Sequence, residues 1–178
     1  PGNDYDDLMS CVDAVVERGF VDEEQLYVTG GSGGGVLTSW IVGKTDRFRA
    51  AVVAKPVINW FSHALTADGA EYWTRYWFPA MPWEDPDHYY RHSPISLVGN
   101  VTTPTMLLVG DEDYRTPLSE SEQFYRALKL RGVETALVRF PEASHGIAAR
   151  PSQMLAKVQA VMGWMAKHGG PVEKEAQP

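Results

Sequence analysis

The sequence predicts an α/β protein, a parallel sheet covered on both faces by helices. Three observations carry this. Four short runs rich in β-forming residues, "QLYVT" (25–29), "FRAAVVAKP" (48–56), "TPTMLLVGDED" (103–113) and "ETALVRF" (134–140), alternate with stretches of helical periodicity. Runs that are apolar throughout belong in a sheet buried on both sides. The 178 residues suit one domain, and 44% apolar with 22% charged residues gives it a core.

The elements follow in order. Leu8, Cys11, Val12, Val15 and Val16 recur at helical spacing behind Asp4, Asp6 and Asp7, acids suited to the positive end of a helix dipole, and Gly19 is placed to end this helix. Cys11 lies on the apolar stripe, so it is expected to be buried and inert; as the one cysteine, it cannot form an intramolecular disulfide. Strand 25–29 stops at glycines, residues 35–44 read as a helix, and strand 48–56 ends at Pro56. Residues 57–100, with Trp60, Trp73, Trp77 and Trp83, lack clean periodicity and are expected to form a helix-and-loop excursion over the core. Strand 103–113 leads to Thr116 and Pro117, an N-cap and first-turn pair for a helix to about Arg131, closed by Gly132. Strand 134–140 precedes a helix with Met154, Leu155, Val158, Val161, Met162 and Met165 on one face. The folded part is expected over 1–168, and "GGPVEKEAQP" (169–178) as a disordered tail.

Composition excludes several functions. A net charge of −7 without a basic run argues against a nucleic-acid partner. No apolar run approaches a membrane span, and no signal-peptide pattern is present. His63, His88, His92 and His168 offer no pair with metal-ligand spacing; they read as structural or exposed, with neither metal nor cofactor expected. The single cysteine suits the cytoplasm.

The stretch "YVTGGSGGGVLTSW" (27–40) carries the chemistry. A flexible linker would join domains, whereas these glycines stand between a strand and a helix. A phosphate loop needs a lysine where Val36 stands, and Val36 also breaks the dinucleotide pattern begun by Gly31 and Gly33. What fits is G-x-S-x-G, with Gly30, Ser32 and Gly34. Such a turn strains the serine backbone, so its neighbours are expected to lack side chains, and it sets the hydroxyl at a helix N-terminus that favours developing negative charge.

A serine hydroxyl needs a base, and the base an orienting acid. On this fold the chain order is Ser, acid, His. The third strand exits into "GDEDYRTP", offering Asp111, Glu112 and Asp113, and the fourth into "PEASHGI", offering His145. The bland alternative for His145 is a surface loop histidine.

Together, "GGSGGG", "GDEDYRTPLSESEQFYRALK" and "ASHGIAARPS" resemble the catalytic domain of the prolyl oligopeptidase family, in its acylaminoacyl-peptidase and dipeptidyl-aminopeptidase branch, over about Asp4 to Lys167. The resemblance implies an α/β-hydrolase fold and a serine peptidase acting on short peptides, with Ser32 as nucleophile, His145 as general base and Asp113 as the acid. It implies that the Gly33 N–H is an oxyanion donor. Arg115 matches an arginine that grips a substrate main-chain carbonyl, with a salt bridge by which "DYRTP" simply braces the loop as the lesser alternative. Val57 and Trp60 fall where the family lines an apolar pocket, with core packing an almost equal alternative.

Two departures stand out. Many members carry an aromatic residue where this chain has Gly33. The resemblance also implies an eight-stranded sheet preceded by a β-propeller, of which only the last four strands are read here, together with a second oxyanion donor from an upstream loop. The chain, which starts at Pro1, is therefore expected to be part of a longer protein and to be weak or inactive alone. Strand 25–29 would present an unpaired edge, covered by a retained N-terminal part or by self-association. The rival functions are a carboxylesterase or lipase-like hydrolase with the same triad, and an inactive fragment serving only as an association module.

Overall fold

The computed structural model describes residues 1–169, and its centre is a four-stranded parallel sheet. The strands β1 (Tyr27–Gly31), β2 (Ala50–Ala54), β3 (Thr105–Gly110) and β4 (Thr135–Phe140) lie side by side in chain order. Register pairs Gly31 with Ala54, Ala54 with Leu108 and Gly110 with Phe140, so the carboxyl ends share one rim. The strands are shorter than the apolar runs for local reasons. Pro104 has no N–H for a ladder, and β2 stops where Lys55 turns to φ +43°. Gln25 belongs to a 3₁₀ turn, Glu23–Gln25, capped by Asp22.

Alternation along β2 divides the core. Ala50, Val52 and Ala54 face a cluster with Phe140 and Trp164, while Ala51 and Val53 face one with Val42, Phe124 and Leu128. The second cluster is supplied by α2 (Gly33–Lys44) and α6 (Leu118–Leu130), the first by α7 (Pro151–His168). Each buried valine or leucine contributes roughly 1.5–3 kcal/mol relative to exposure. Burial from both sides is why β2 and β3 read as unbroken apolar runs. Gly19 and Gly132 close their helices at φ +78° and +72°, a left-handed conformation that favours glycine.

Three sequence expectations are corrected. Cys11 is exposed, not buried: α1 (Asp4–Val16) carries an apolar stripe but buries none of its side chains. On α7, the face toward the sheet is built from Trp164, with Ala160, Val161 and Met165 beside it. Met154, Leu155, Val158 and Met162 lie on the open side, between 47 and 65% exposed. Helix α6 begins at Leu118, because the Thr116 hydroxyl is drawn to Asp113 instead of capping the helix. The expected disordered tail lies, beyond Gly169, outside the described residues.

Residues 57–100 fold over the rim as α3 (Trp60–Thr66), α4 (Ala70–Tyr76), α5 (Pro86–Arg91) and a 3₁₀ helix, Pro94–Asn100. A third buried cluster, Val36, Val57, Trp60, Ala64 and Tyr89, joins this segment to α2.

Candidate active site

Ser32 is the joint between β1 and α2. Its N–H donates to Ala54 O at 3.0 Å, extending the sheet ladder, and its carbonyl accepts the Val36 N–H at 3.0 Å, starting the helix. These commitments hold it at φ 60°, ψ −120°, a strained conformation costing about 1–3 kcal/mol. The glycines that permit the turn are not the immediate neighbours. A Cβ on Gly30 would stand 2.2 Å from Gly34 O, and one on Gly35 2.6 Å from Ala54 O, whereas Gly33 and Gly34 have open space. The expectation that collisions require bare neighbours is thus corrected for Gly33. Its N–H belongs to the first turn of α2, whose donors have no acceptor within the helix.

The loops after β3 and β4 bring Asp113 and His145 to this turn. His145 Nε2 lies 3.0 Å from Ser32 Oγ, and His145 Nδ1 lies 2.8 and 3.0 Å from the two Asp113 oxygens. A carboxylate can only accept here, so Nδ1 carries the proton and Nε2 is free to accept from the serine. The Asp113 side chain is fully buried. It also accepts the N–H groups of Arg115 and Thr116, at 3.0 and 2.9 Å, and the Thr116 hydroxyl at 3.0 Å. Asp111 is turned away into an ion pair with Arg139, and Asp113 is the carboxylate that meets His145.

A cavity of about 330 Å³ opens beside Ser32 and His145. Val57 and Trp60 line it while belonging to the buried cluster. Arg115 also lines it, and its guanidinium is paired with Asp68 at 2.7 Å. The pair ties the loop after β3 to the turn before α4, rather than bracing "DYRTP" within itself. The hydrogen bond from Arg115 holds the Asp68 carboxyl below its ordinary value.

Sequence reasoning missed four contributors. Trp73 and Trp77, one turn apart on and just beyond α4, close the cavity with Trp60; their i, i+4 spacing was a signal. His63 also lines the cavity. Its ring is buried and its Nε2–H donates to the Arg115 carbonyl at 2.9 Å; burial pushes this imidazole below its ordinary value, favouring the neutral ring. Lys55 Nζ donates to the His145 carbonyl at 2.7 Å, and no sequence pattern marks it. Among the described residues no group of His, Cys, Asp and Glu could hold a metal ion, and no helix is long and apolar enough to cross a membrane.

Residues 1–171 match the model of the prolyl oligopeptidase family. The chain belongs to that family. It is 39% identical over 170 residues to the uncharacterized peptidase YuxL of Bacillus subtilis, covering 94% of this chain and 26% of that protein. It is 34% identical over 182 residues to acylamino-acid-releasing enzyme 1 of Oryza sativa subsp. japonica, covering 94% of this chain and 23% of that protein. Among solved structures, Pyrococcus horikoshii acylaminoacyl peptidase superimposes with a TM-score of 0.89 at 25% identity, over 98% of this chain and 29% of that one. The sheet and its flanking helices are thus part of an α/β-hydrolase fold. The chain spans about a quarter of the length of the curated relatives it matches.

Proposed function

We propose that this chain carries the active site of a serine peptidase that hydrolyses short peptides, of the acylaminoacyl- or dipeptidyl-peptidase type. The observation that supports it most is the relay Ser32 Oγ, His145 Nε2/Nδ1, Asp113, with spacings of 3.0 and 2.8 Å beside an aromatic-lined cavity.

Ser32 Oγ attacks the scissile carbonyl carbon as its proton passes to His145 Nε2. Asp113 holds the resulting imidazolium, and the Gly33 N–H donates to the oxyanion. Collapse of the intermediate breaks the C–N bond, and His145 returns the proton to the leaving amine. Water, deprotonated by His145, then attacks the acyl-enzyme and frees Ser32. Val57 and Trp60 receive the side chain preceding the scissile bond. Two of the five N–H donors of Arg115 are engaged by Asp68, which leaves others for a substrate main-chain carbonyl.

The resemblance supports a second oxyanion donor from an upstream loop. Loss of one such donor costs about 10²–10³ in turnover, so this chain alone is expected to be slow. Among the described residues β1 pairs only with β2, and its other edge is assigned to a further strand of the same protein, in keeping with the quarter-length coverage. Light scattering on the isolated chain tests this, since a stable monomer would argue against it.

The deciding experiment compares a peptide-anilide with a short-chain ester on the full-length protein, with Ser32→Ala as control. Cleavage of both, lost in the variant, supports the peptidase. Cleavage of the ester alone identifies an esterase. Intact-mass analysis after a fluorophosphonate probe reports whether Ser32 is activated in the isolated chain; a folded chain that takes no adduct would mean that the triad needs the upstream part of the protein to work.

A further inference from the structure

Glu120 on α6 is wholly buried, and no step of the hydrolysis above uses it. Its oxygens are fully engaged. One accepts the backbone N–H groups of Ile58 and Asn59 at 2.9 and 2.8 Å. The other accepts the Ser62 hydroxyl at 2.5 Å and the Gln123 amide at 3.3 Å. Two neighbours extend the clamp. Ser93 Oγ accepts the Trp60 N–H at 2.8 Å, and Asn59 Oδ1 accepts the Phe61 N–H at 3.1 Å. Four consecutive N–H groups, from Ile58 to Phe61, therefore end on side-chain oxygens.

The turn held in this way opens α3. Val57 lies just before it, and Trp60 and His63 lie on it, all three lining the cavity beside Ser32. The Trp60 ring packs against Trp77 and Phe78 at 5.6 and 5.5 Å. Trp77 itself is half exposed and gives the ring a yielding support. The firm reference for Trp60 is its backbone. A buried carboxyl is costly unless donors replace its lost water, and a leucine could fill comparable space without that cost. What a leucine cannot do is accept two successive N–H groups.

We propose that Glu120 is a positioning residue for substrate specificity: by fixing the start of α3 it sets the place of the Val57–Trp60 wall, and with it the preference for a large apolar side chain before the scissile bond. This rests on the peptidase reading of the cavity.

The test measures kcat and KM for anilides bearing Phe or Ala before the scissile bond, on the full-length protein, for wild type, Glu120→Gln and Glu120→Leu. Rates are expressed per fluorophosphonate-titrated site, so unfolded protein does not enter. Glu120→Gln keeps an oxygen for the two N–H groups and is expected to hold the Phe-over-Ala ratio of kcat/KM within about twofold. Glu120→Leu is expected to lower that ratio about tenfold, mainly through KM for the Phe substrate, with kcat on the Ala substrate nearly unchanged. A Glu120→Leu ratio equal to wild type would overturn the proposal and leave Glu120 a purely structural group. If Glu120→Leu yields no titratable site, Ser93→Ala, which frees the Trp60 N–H, decides in the same way. A wild-type protein that cleaves neither anilide would instead refute the peptidase reading.

Discussion

Lys55 reaches across the rim of the sheet and donates its ammonium to the backbone carbonyl of His145 at 2.7 Å, tying the residue after β2 to the loop after β4. The contact is held at a cost, since Lys55 stands at φ +43° and burial lowers its affinity for the proton, with Lys157 lowering it further and Asp113 opposing. Lys55→Met keeps most of the stem and removes the donor. We expect kcat to fall about tenfold with KM little changed, because a loosened loop misplaces the base more than it alters the pocket. Steady-state kinetics at neutral pH checks this, and an unchanged kcat would dismiss the tether.

Thr116 gives Asp113 both its N–H and its hydroxyl, at 2.9 and 3.0 Å. Asp113→Asn should lower kcat about 10⁴-fold, since an amide can hold the imidazole in the wrong tautomer. Thr116→Val removes one of several donors and should cost about tenfold, with less than about 1.5 kcal/mol of stability. Thr116→Ser should restore the rate. A Val variant as fast as wild type, with the loss in the Ser variant instead, would show that the methyl group matters and the hydroxyl does not.

Much of this arrangement was legible in the sequence, and the reasons are physical. Ser32, Asp113 and His145 each follow an apolar strand, so strand recognition alone brings three loops to one rim. Gly30 and Gly35, on either side of Ser32, mark a turn too close-packed for side chains. Thr116 misled because one sequence signal, Thr-Pro before a helix, serves either a cap or a neighbouring carboxylate. Lys55 was invisible because its partner is a backbone carbonyl, and Glu120 because two of its four donors are backbone N–H groups, which carry no residue type. The face of α7 was misjudged because a helix with apolar residues on two sides does not reveal which one Trp164 anchors.

Burial raises the Glu120 carboxyl above its ordinary value, while its donors, all uncharged, partly oppose the rise. The sign follows from linkage. A carboxyl with a raised folded-state pKa favours the protonated native protein, so its stabilisation is complete below the unfolded value, about 4.3, and is lost as pH rises through the folded one. Glu120→Gln cannot titrate. Relative to wild type, the variant should gain stability from pH 4 to pH 7, and urea unfolding of the two proteins at both pH values reads the difference. A difference that shrank with rising pH would reverse the assigned direction.

Two glycines at the site should respond to substitution in opposite ways. A Cβ on Gly110 would lie 2.1 Å from Ala143 O and 2.8 Å from Ser144 O, atoms of the backbone that leads into His145. Backbone held by the Glu112 N–H to Ala143 O bond cannot swing aside as a side chain would. Gly110→Ala must therefore push the loop outward, and we expect a loss of about 2 kcal/mol or more together with the loss of fluorophosphonate labelling. Gly33 has nothing within 4 Å of the same atom, although it adjoins the strained Ser32. Gly33→Phe should leave the melting temperature within a few degrees of wild type, keep its N–H for the oxyanion and alter only the selectivity of the cavity it enters. Melting curves and probe labelling of both variants separate the cases. If Gly33→Phe unfolds the protein while Gly110→Ala labels normally, the steric account of the rim is wrong.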